Sequence, residues 1–222
     1  MPQDEPERGG ARIICVCSPL GGSRCSTYAY ALSEFYSKKG ETLFVSLDPF
    51  FSLTQDTPGD ERGSLKELIY SIETASGGVQ HLLSGYVRRN HGTDCLARIT
   101  NWLDVYDITT DQAHHLMSCL QKEKIYRYIV MDIGRPTGAF LECMALCDDI
   151  YVPRRKGRRD DAAIAEWKEQ LTALGFFDIA ESLKERTLPF DKGLEAEPTF
   201  ERLLSGPLGG YIKETEEFGY FG

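Results

Sequence analysis

The segment Ser18-Pro19-Leu20-Gly21-Gly22-Ser23-Arg24-Cys25-Ser26-Thr27 combines residue types suited to holding a phosphate. Adjacent glycines let successive backbone N–H groups turn inward, and a helix opening straight after such a loop adds positive potential at its N-terminus. The Ser26 and Thr27 hydroxyls fall at that helix start. Two carboxylates, Asp48 and Asp132, each close an apolar run. The carboxyl ends of parallel strands are where open α/β sheets bind ligands. On residues alone the loop reads either as an anion nest suited to phosphate or as a plain turn between strand and helix. Asp48 and Asp132 likewise read either as ligand-facing acids or as a helix cap and a structural ion pair.

Other candidates are less specific. Arg154-Arg155-Lys156-Gly157-Arg158-Arg159 carries five cations in six residues just after an expected strand, and so belongs on the same sheet edge as the loop. Its readings are a phosphate contact, a site for an acidic partner or anionic lipid, or a solvated loop balanced by Asp160, Asp161 and Glu166. His114 and His115 are neighbours on an expected helix and point apart, which is not ligand spacing. Cys143 and Cys147, four apart beside Leu141, Met144 and Leu146, read as core packing. Cys25, at a helix N-terminus beside Arg24, is a candidate reactive thiol.

Short apolar runs alternate with helical patterns along the chain, the βαβ signature of a mostly parallel sheet. Strands are expected at 12–17, 42–47, 95–99, 128–132, 149–152 and 186–190. Helices are expected at 26–39 (stopped by Gly40), 64–73, 78–89, 138–147 and 160–174. Another runs from a Thr109-x-x-Gln112 capping box to about residue 122, and a last helical stretch over 199–217 is interrupted near Gly206-Pro207 and Gly209-Gly210. The expected fold is a three-layer α/β domain over 11–222, with about seven mostly parallel strands and helices on both faces. Residues 1–10 read as a flexible acidic tail.

Composition sets outer limits. With 222 residues, 25 Lys and Arg against 34 Asp and Glu, the net charge is -9. Nucleic-acid binding is not expected, because counterion release needs a basic surface. No apolar run approaches the roughly 20 residues that span a bilayer, and the acidic, proline-bearing N-terminus is the wrong chemistry for a signal or transit peptide. The seven cysteines include no CxxC pair, which reads as reduced thiols in a cytoplasmic protein.

Residues 20–27 resemble the deviant Walker A motif of the ParA/MinD family, K-G-G-x-G-K-[ST]-[ST]. The likeness continues through Ser33 to Gly40 and Glu41 to Pro49, similar to that family's helix ending in KKG and its strand ending in D-x-D-P. Tyr128-Ile129-Val130-Met131-Asp132 resembles its Y-I-I-x-D strand, and Cys147-Asp148-Asp149-Ile150-Tyr151-Val152-Pro153 its A-D-x-V-x-x-V segment. The resemblance implies a P-loop fold binding ATP or ADP with Mg2+. Gly21, Gly22, Ser23, Arg24, Cys25, Ser26 and Thr27 would cradle phosphate, Ser26, Asp48 and Asp132 would address the metal, and Asp48 is the candidate catalytic residue.

Three positions depart from the motif: the family's two lysines fall on Leu20 and Cys25, and its third glycine on Arg24. Phosphoryl transfer is catalysed almost wholly by electrostatics, so at most slow ATP hydrolysis is expected. The missing lysines together with S-P-x-G-G-S-x-x-S-T, and the stretch from Leu188-Pro189-Phe190 to Phe200-Glu201-Arg202-Leu203-Leu204-Ser205-Gly206-Pro207-Leu208-Gly209, resemble the TadZ/CpaE-like branch. That implies a homodimeric localisation or assembly factor for a Tad-type pilus or secretion machinery. It would be cytoplasmic and drawn to a cell pole or the inner membrane face by a partner. The alternatives are an active ATPase or kinase using Arg24 in place of lysine, and a nucleotide-free pseudo-ATPase scaffold.

Overall fold

The computed structural model describes residues 10–20, 24–48, 63–74, 79–99, 101–122, 124–136, 138–191 and 200–218. The run Arg12–Cys17 forms strand β1, and every residue of it but the first is buried. Helix α1 (Cys25–Ser37) follows, then β2 (Thr42–Ser46), α2 (Leu65–Thr74), α3 (Val79–Tyr86), β3 (Val87–Asn90), β4 (Thr93–Leu96), α4 (Asp104–Asp107), α5 (Thr110–Lys122) and β5 (Tyr128–Gly134). After α6 (Gly138–Cys143) and a 3-10 turn come β6 (Asp149–Arg154), α7 (Arg158–Ala173), α8 (Phe177–Ser182) and β7 (Leu183–Thr187). Two helices, α9 (Phe200–Ser205) and α10 (Pro207–Phe218), complete the described chain.

The seven strands form one sheet in the order β3-β4-β2-β5-β1-β6-β7. Every pair is parallel except the β3–β4 edge hairpin. β5 is therefore sandwiched between β1 and β2, with Asp132 in register with Val16 on one side and Ser46 on the other.

Strand alternation divides the core between two faces. Ile13, Cys15, Cys17, Leu43, Val45, Ile129 and Met131 face α2, α5, α6, α7 and α8. Ile14, Val16, Phe44, Tyr128 and Val130 face α1, α9 and α10. The expected three-layer α/β architecture is the one observed. Among the described residues no helix is long and apolar enough to cross a membrane, and all seven cysteines are free thiols.

Four local expectations are corrected. The helix expected over 78–89 ends at Tyr86, and Val87–Asn90 becomes an edge strand turning at His91-Gly92, with His91 at φ 51°. That strand is polar and only part-buried, so it offers no apolar alternation to read. The strand expected at 95–99 lies at Thr93–Leu96, its polar Asp94 held by Arg89 and by the Tyr126 hydroxyl. The strand expected at 186–190 lies at Leu183–Thr187, because its charges are paired: Lys184 with Asp149, Glu185 with Lys168 and Arg154, and Arg186 stacked on Tyr151. The helix α8 just before it was not expected. Gly206 separates two helices as expected, but Gly209 and Gly210 lie inside α10. A side chain at position 209 would put a Cβ 2.0 Å from the Leu204 carbonyl, so glycine there permits the close turn between α9 and α10.

Candidate functional site

The site lies at the carboxyl edge of β1, β2 and β5, where the sequence places its loop and its two acids. β1 ends at Cys17, and the next residue, Ser18, is buried and donates its N–H to the Gly134 carbonyl at 2.8 Å, tying the loop's root to the end of β5. Gly21, Gly22 and Ser23 lie outside the described residues. Arg24 carries φ 60° and ψ 33°, the left-handed conformation, and its carbonyl accepts the Tyr28 N–H at 2.9 Å to start α1. A residue with a Cβ in this conformation costs about 1–2 kcal/mol, so the backbone here has the shape a glycine would take. The Arg24 side chain donates through Nη1 to the Pro189 carbonyl at 3.1 Å and lies over the Phe190 ring at 5.9 Å.

α1 begins at Cys25, one residue earlier than expected. Cys25 is buried in the core beneath α1 and Thr27 is half-buried in the first turn. Ser26 turns the other way. Its hydroxyl donates to Asp48 Oδ2 at 3.3 Å, and it also favours the ionised form of Asp132, so it stands between the two carboxylates. Ser46 completes the group: its hydroxyl donates to Asp132 Oδ2 at 3.1 Å and accepts the Asp48 N–H at 3.2 Å. Sequence reasoning missed Ser46. The signal was available, since a residue two before Asp48 on β2 falls level with Asp132 once β2 is paired with β5.

Asp132 is fully buried. Its carboxyl is pushed up to about 6, first by burial and then by the nearby Asp48 charge, against the hydroxyls of Ser26 and Ser46 and the Gly134 N–H. Its Oδ1 has no hydrogen-bond partner. A buried carboxylate oxygen left without a donor is costly, and a divalent cation is the partner that two carboxylates and a hydroxyl suit. Ser26, Asp48 and Asp132 thus fit Mg2+ by donor type and by this orphaned oxygen.

The 154–159 run follows β6, parallel to β1, and so leaves the sheet at the same carboxyl edge as the loop, as expected. In the 154–159 run Arg154 pairs with Glu185 at 3.1 Å and with Asp161, while Asp160 accepts from the Arg155 backbone at 3.0 Å and side chain at 3.5 Å. Lys156, Arg158 and Arg159 are exposed at the start of α7. Cys143 is buried in the core and His115 is exposed beside Cys119. Among the described residues no cluster of three or more His, Cys, Asp or Glu could hold a metal.

The sequence matches no protein-family model and no curated relative. Solved structures do resemble the fold. A ParA family ATPase from Chlorobium tepidum TLS superposes with a TM-score of 0.69 at 13% identity, over 90% of this chain and 96% of that one. A plasmid partition protein from Borrelia burgdorferi B31, bound to AMPPNP, gives 0.65 at 17% identity over 93% and 96%. A cobyrinic acid a,c-diamide synthase from Mycobacterium smegmatis, with a bound ATP analog and magnesium, gives 0.60 at 16% identity over 79% and 72%. At these identities what is shared is the fold: a P-loop NTPase-like α/β sheet of the kind found in ParA-family ATPases.

Proposed function

We propose that this chain is an atypical ParA/MinD-like nucleotide-binding protein with a degenerate Walker A loop, holding Mg-ATP or Mg-ADP at the carboxyl edge of β1, β2 and β5. The observation that carries the reading is the buried, unpartnered Oδ1 of Asp132 beside Ser26 and Asp48. Two structures of the same fold are described with nucleotide bound, one of them with magnesium as well. The glycine-like backbone at Arg24, where the family motif has its third glycine, supports the same alignment.

Bound Mg2+ supplies positive charge against the phosphate oxygens. The protein's part is to place the Ser26 hydroxyl and two carboxylates, and to present the backbone N–H groups of 21–25. The lysine positions of the motif hold Leu20, which packs against the core, and Cys25, which is buried. With no ammonium at either, the chain binds nucleotide but turns it over slowly or not at all. Nucleotide then works as a switch, stabilising one state over another by binding it better. That state is a homodimer in this reading. The role is that of a TadZ/CpaE-like factor localising or assembling a Tad-type pilus machinery, supported by the S-P-x-G-G-S-x-x-S-T loop.

Calorimetric titration with ATP and with ADP, each with and without Mg2+, tests the reading. Mg2+-dependent heat with turnover near background is the expected result. Absence of both heat and thermal stabilisation at millimolar nucleotide overturns it and leaves a nucleotide-free scaffold. Brisk turnover supports instead an ATPase or kinase that uses Arg24.

A further inference from the structure

The stretch from Trp102 to Asp107 is held from one side and open on the other. α4 is four residues long and none of its residues is buried; a helix that short does not stand alone. Val105 packs against the core behind it, and Ile108 is buried just after it. From α2, Lys66 Nζ donates to Asp104 at 2.8 Å and to Asp107 at 2.9 Å. Fixed this way, the segment turns three large apolar side chains to solvent: Trp102 is 51% exposed, Leu103 50% and Tyr106 67%. The Trp102 and Tyr106 rings meet edge to face, their centroids 6.1 Å apart.

Tyr70 joins them from α2. It lies one turn after Lys66, which reaches α4, and one turn before Glu73, whose carboxylate accepts the Gln112 side-chain amide of α5 at 3.1 Å. Positions 66, 70 and 73 share one side of a helix, so Tyr70, 68% exposed, stands on the side of α2 that meets α4 and α5. Eight large apolar side chains are exposed among the described residues, and four of them are these. Single exposed apolar residues are ordinary, whereas a contiguous patch rimmed by polar groups marks an interaction site. Trp and Tyr are also among the residue types that carry most of the binding energy where proteins meet.

The charge around the patch is mostly of one sign. α2, α4 and the first turn of α5 hold Glu67, Glu73, Asp104, Asp107 and Asp111 against Lys66, and Lys66 is engaged by two of those acids. One further cation, Arg98, lies at the start of α2, where its carbonyl accepts the Leu65 N–H. Two copies of this patch facing one another would set acids against acids. An anionic membrane or a nucleic acid is repelled for the same reason.

We infer that the face formed by Tyr70, Trp102, Leu103 and Tyr106 docks a basic amphipathic segment of a partner protein. The segment's apolar side chains cover the rings, and its lysines or arginines meet Glu73, Asp107 and Asp111. The inference is independent of the nucleotide reading, since none of these residues belongs to the loop or to the Ser26, Asp48 and Asp132 group.

The test uses the full chain, 15N-labelled, and two synthetic amphipathic helices as probes, one built of leucine and lysine, the other of leucine and glutamate. Two indole N–H resonances report: that of Trp102 on the patch and that of Trp167 on α7, told apart by the loss of one in Trp102→Phe. The lysine helix is expected to move the Trp102 resonance and leave that of Trp167 in place, and the glutamate helix to move neither. Trp102→Ser combined with Tyr106→Ser is expected to weaken binding of the lysine helix by about 10-fold or more, the loss typical of anchor residues. Glu73→Lys combined with Asp107→Lys is expected to weaken it as well. A Trp102 resonance that stays put at millimolar lysine helix overturns the docking face. So does an equal response to both probes, or a serine-substituted chain that binds as tightly as the parent. Should the serine-substituted chain fold poorly, the charge-reversed chain carries the test, and undiminished binding by it overturns the inference. A Trp102 resonance that moves on raising the protein concentration alone, with a dimer in sedimentation that Trp102→Ser dissociates, gives the face to a second copy and overturns the partner reading.

Discussion

The Ser26 hydroxyl and Asp48 Oδ2 stand 3.3 Å apart, joining the first turn of α1 to the residue that leaves β2. The contact brings together a hydroxyl and a carboxylate 22 residues apart in sequence, one at the start of α1 and the other just past the end of β2. A hydrogen bond of this length, made beside a half-buried acid, contributes about 0.5–1.5 kcal/mol.

Removing either partner therefore separates metal binding from stability. Ser26→Ala and Asp48→Ala are expected to lower the Mg2+-dependent gain in nucleotide affinity by about 10-fold or more, in the range seen when groups around a bound metal are removed. Their melting temperatures should stay within about 4 °C of the parent, from that hydrogen-bond energy and the size of the chain. Calorimetry with and without Mg2+, paired with thermal melts, checks both. Unchanged Mg2+ dependence in both variants would remove these residues from the metal site.

Asp132 makes a pH-dependent prediction whose sign runs against the usual carboxylate. Burial raises its folded pKa to about 6 from an ordinary 3.8. The folded state thus holds a proton that the unfolded state has already released between those values. The proton-bound form stabilises the fold fully below about 3.8, and this contribution is lost as pH rises through about 6. At pH 8 the ionised, buried carboxylate costs the apo protein up to about 3 kcal/mol. Asp132→Asn should therefore be more stable than the parent at pH 8 and equal to it near pH 3.5, with the gap opening between. Added Mg2+ should stabilise the parent at pH 8 and leave the asparagine variant unmoved. A variant less stable than the parent at pH 8 contradicts the picture.

How much of this was legible in the sequence depended on whether a residue's partner was near or far. β1 and β5 are apolar on both faces and were read almost to the residue, because a buried central strand tolerates little else. Asp48 and Asp132 stand out as candidates because each closes an apolar run of the sequence. β7 was misplaced because Lys184, Glu185 and Arg186 are acceptable in a strand only with Asp149, Arg154, Lys168 and Tyr151 beside them, and those come from other elements. Ser46 went unnoticed for the same reason: its role appears only when β2 is laid against β5. Nothing around Arg24 in the sequence points to Pro189 or Phe190.

The capping box at the start of α5 is a local feature the sequence did reveal. Thr109 accepts the Gln112 N–H on Oγ1 at 3.2 Å, and Gln112 Oε1 accepts the Thr109 N–H at 3.1 Å. Thr109→Ala should cost about 1 kcal/mol, and Thr109→Ser should cost much less. Urea unfolding of the three chains decides it; equal midpoints would mean that the burial of Ala113, Leu116, Met117 and Leu120 holds the helix without its cap.

The C-terminal helix offers the largest expected effect. Glu216 on α10 is nearly buried, and its Oε2 accepts the Tyr36 hydroxyl of α1 at 2.6 Å and the Tyr151 hydroxyl of β6 at 3.0 Å. Arg186 of β7 stands 3.7 Å from the other oxygen and lies over the Tyr151 ring at 4.3 Å. Burial, then the Glu216 charge, raises both tyrosine hydroxyls well above their ordinary range, so they remain donors at any working pH. Glu216→Ala leaves a buried guanidinium and two buried hydroxyls without their shared acceptor, a change of about 3–5 kcal/mol and about 10 °C in melting temperature for a chain of this size. Glu216→Gln keeps an acceptor and loses the charge, and should fall between. Tyr151→Phe combined with Glu216→Ala should cost less than the sum of the two, because both remove the same bond. A Glu216→Ala chain within 1 °C of the parent would mean that Leu208 and Ile212 alone dock α10 against α1, and that this buried ion cluster contributes nothing to holding the helix.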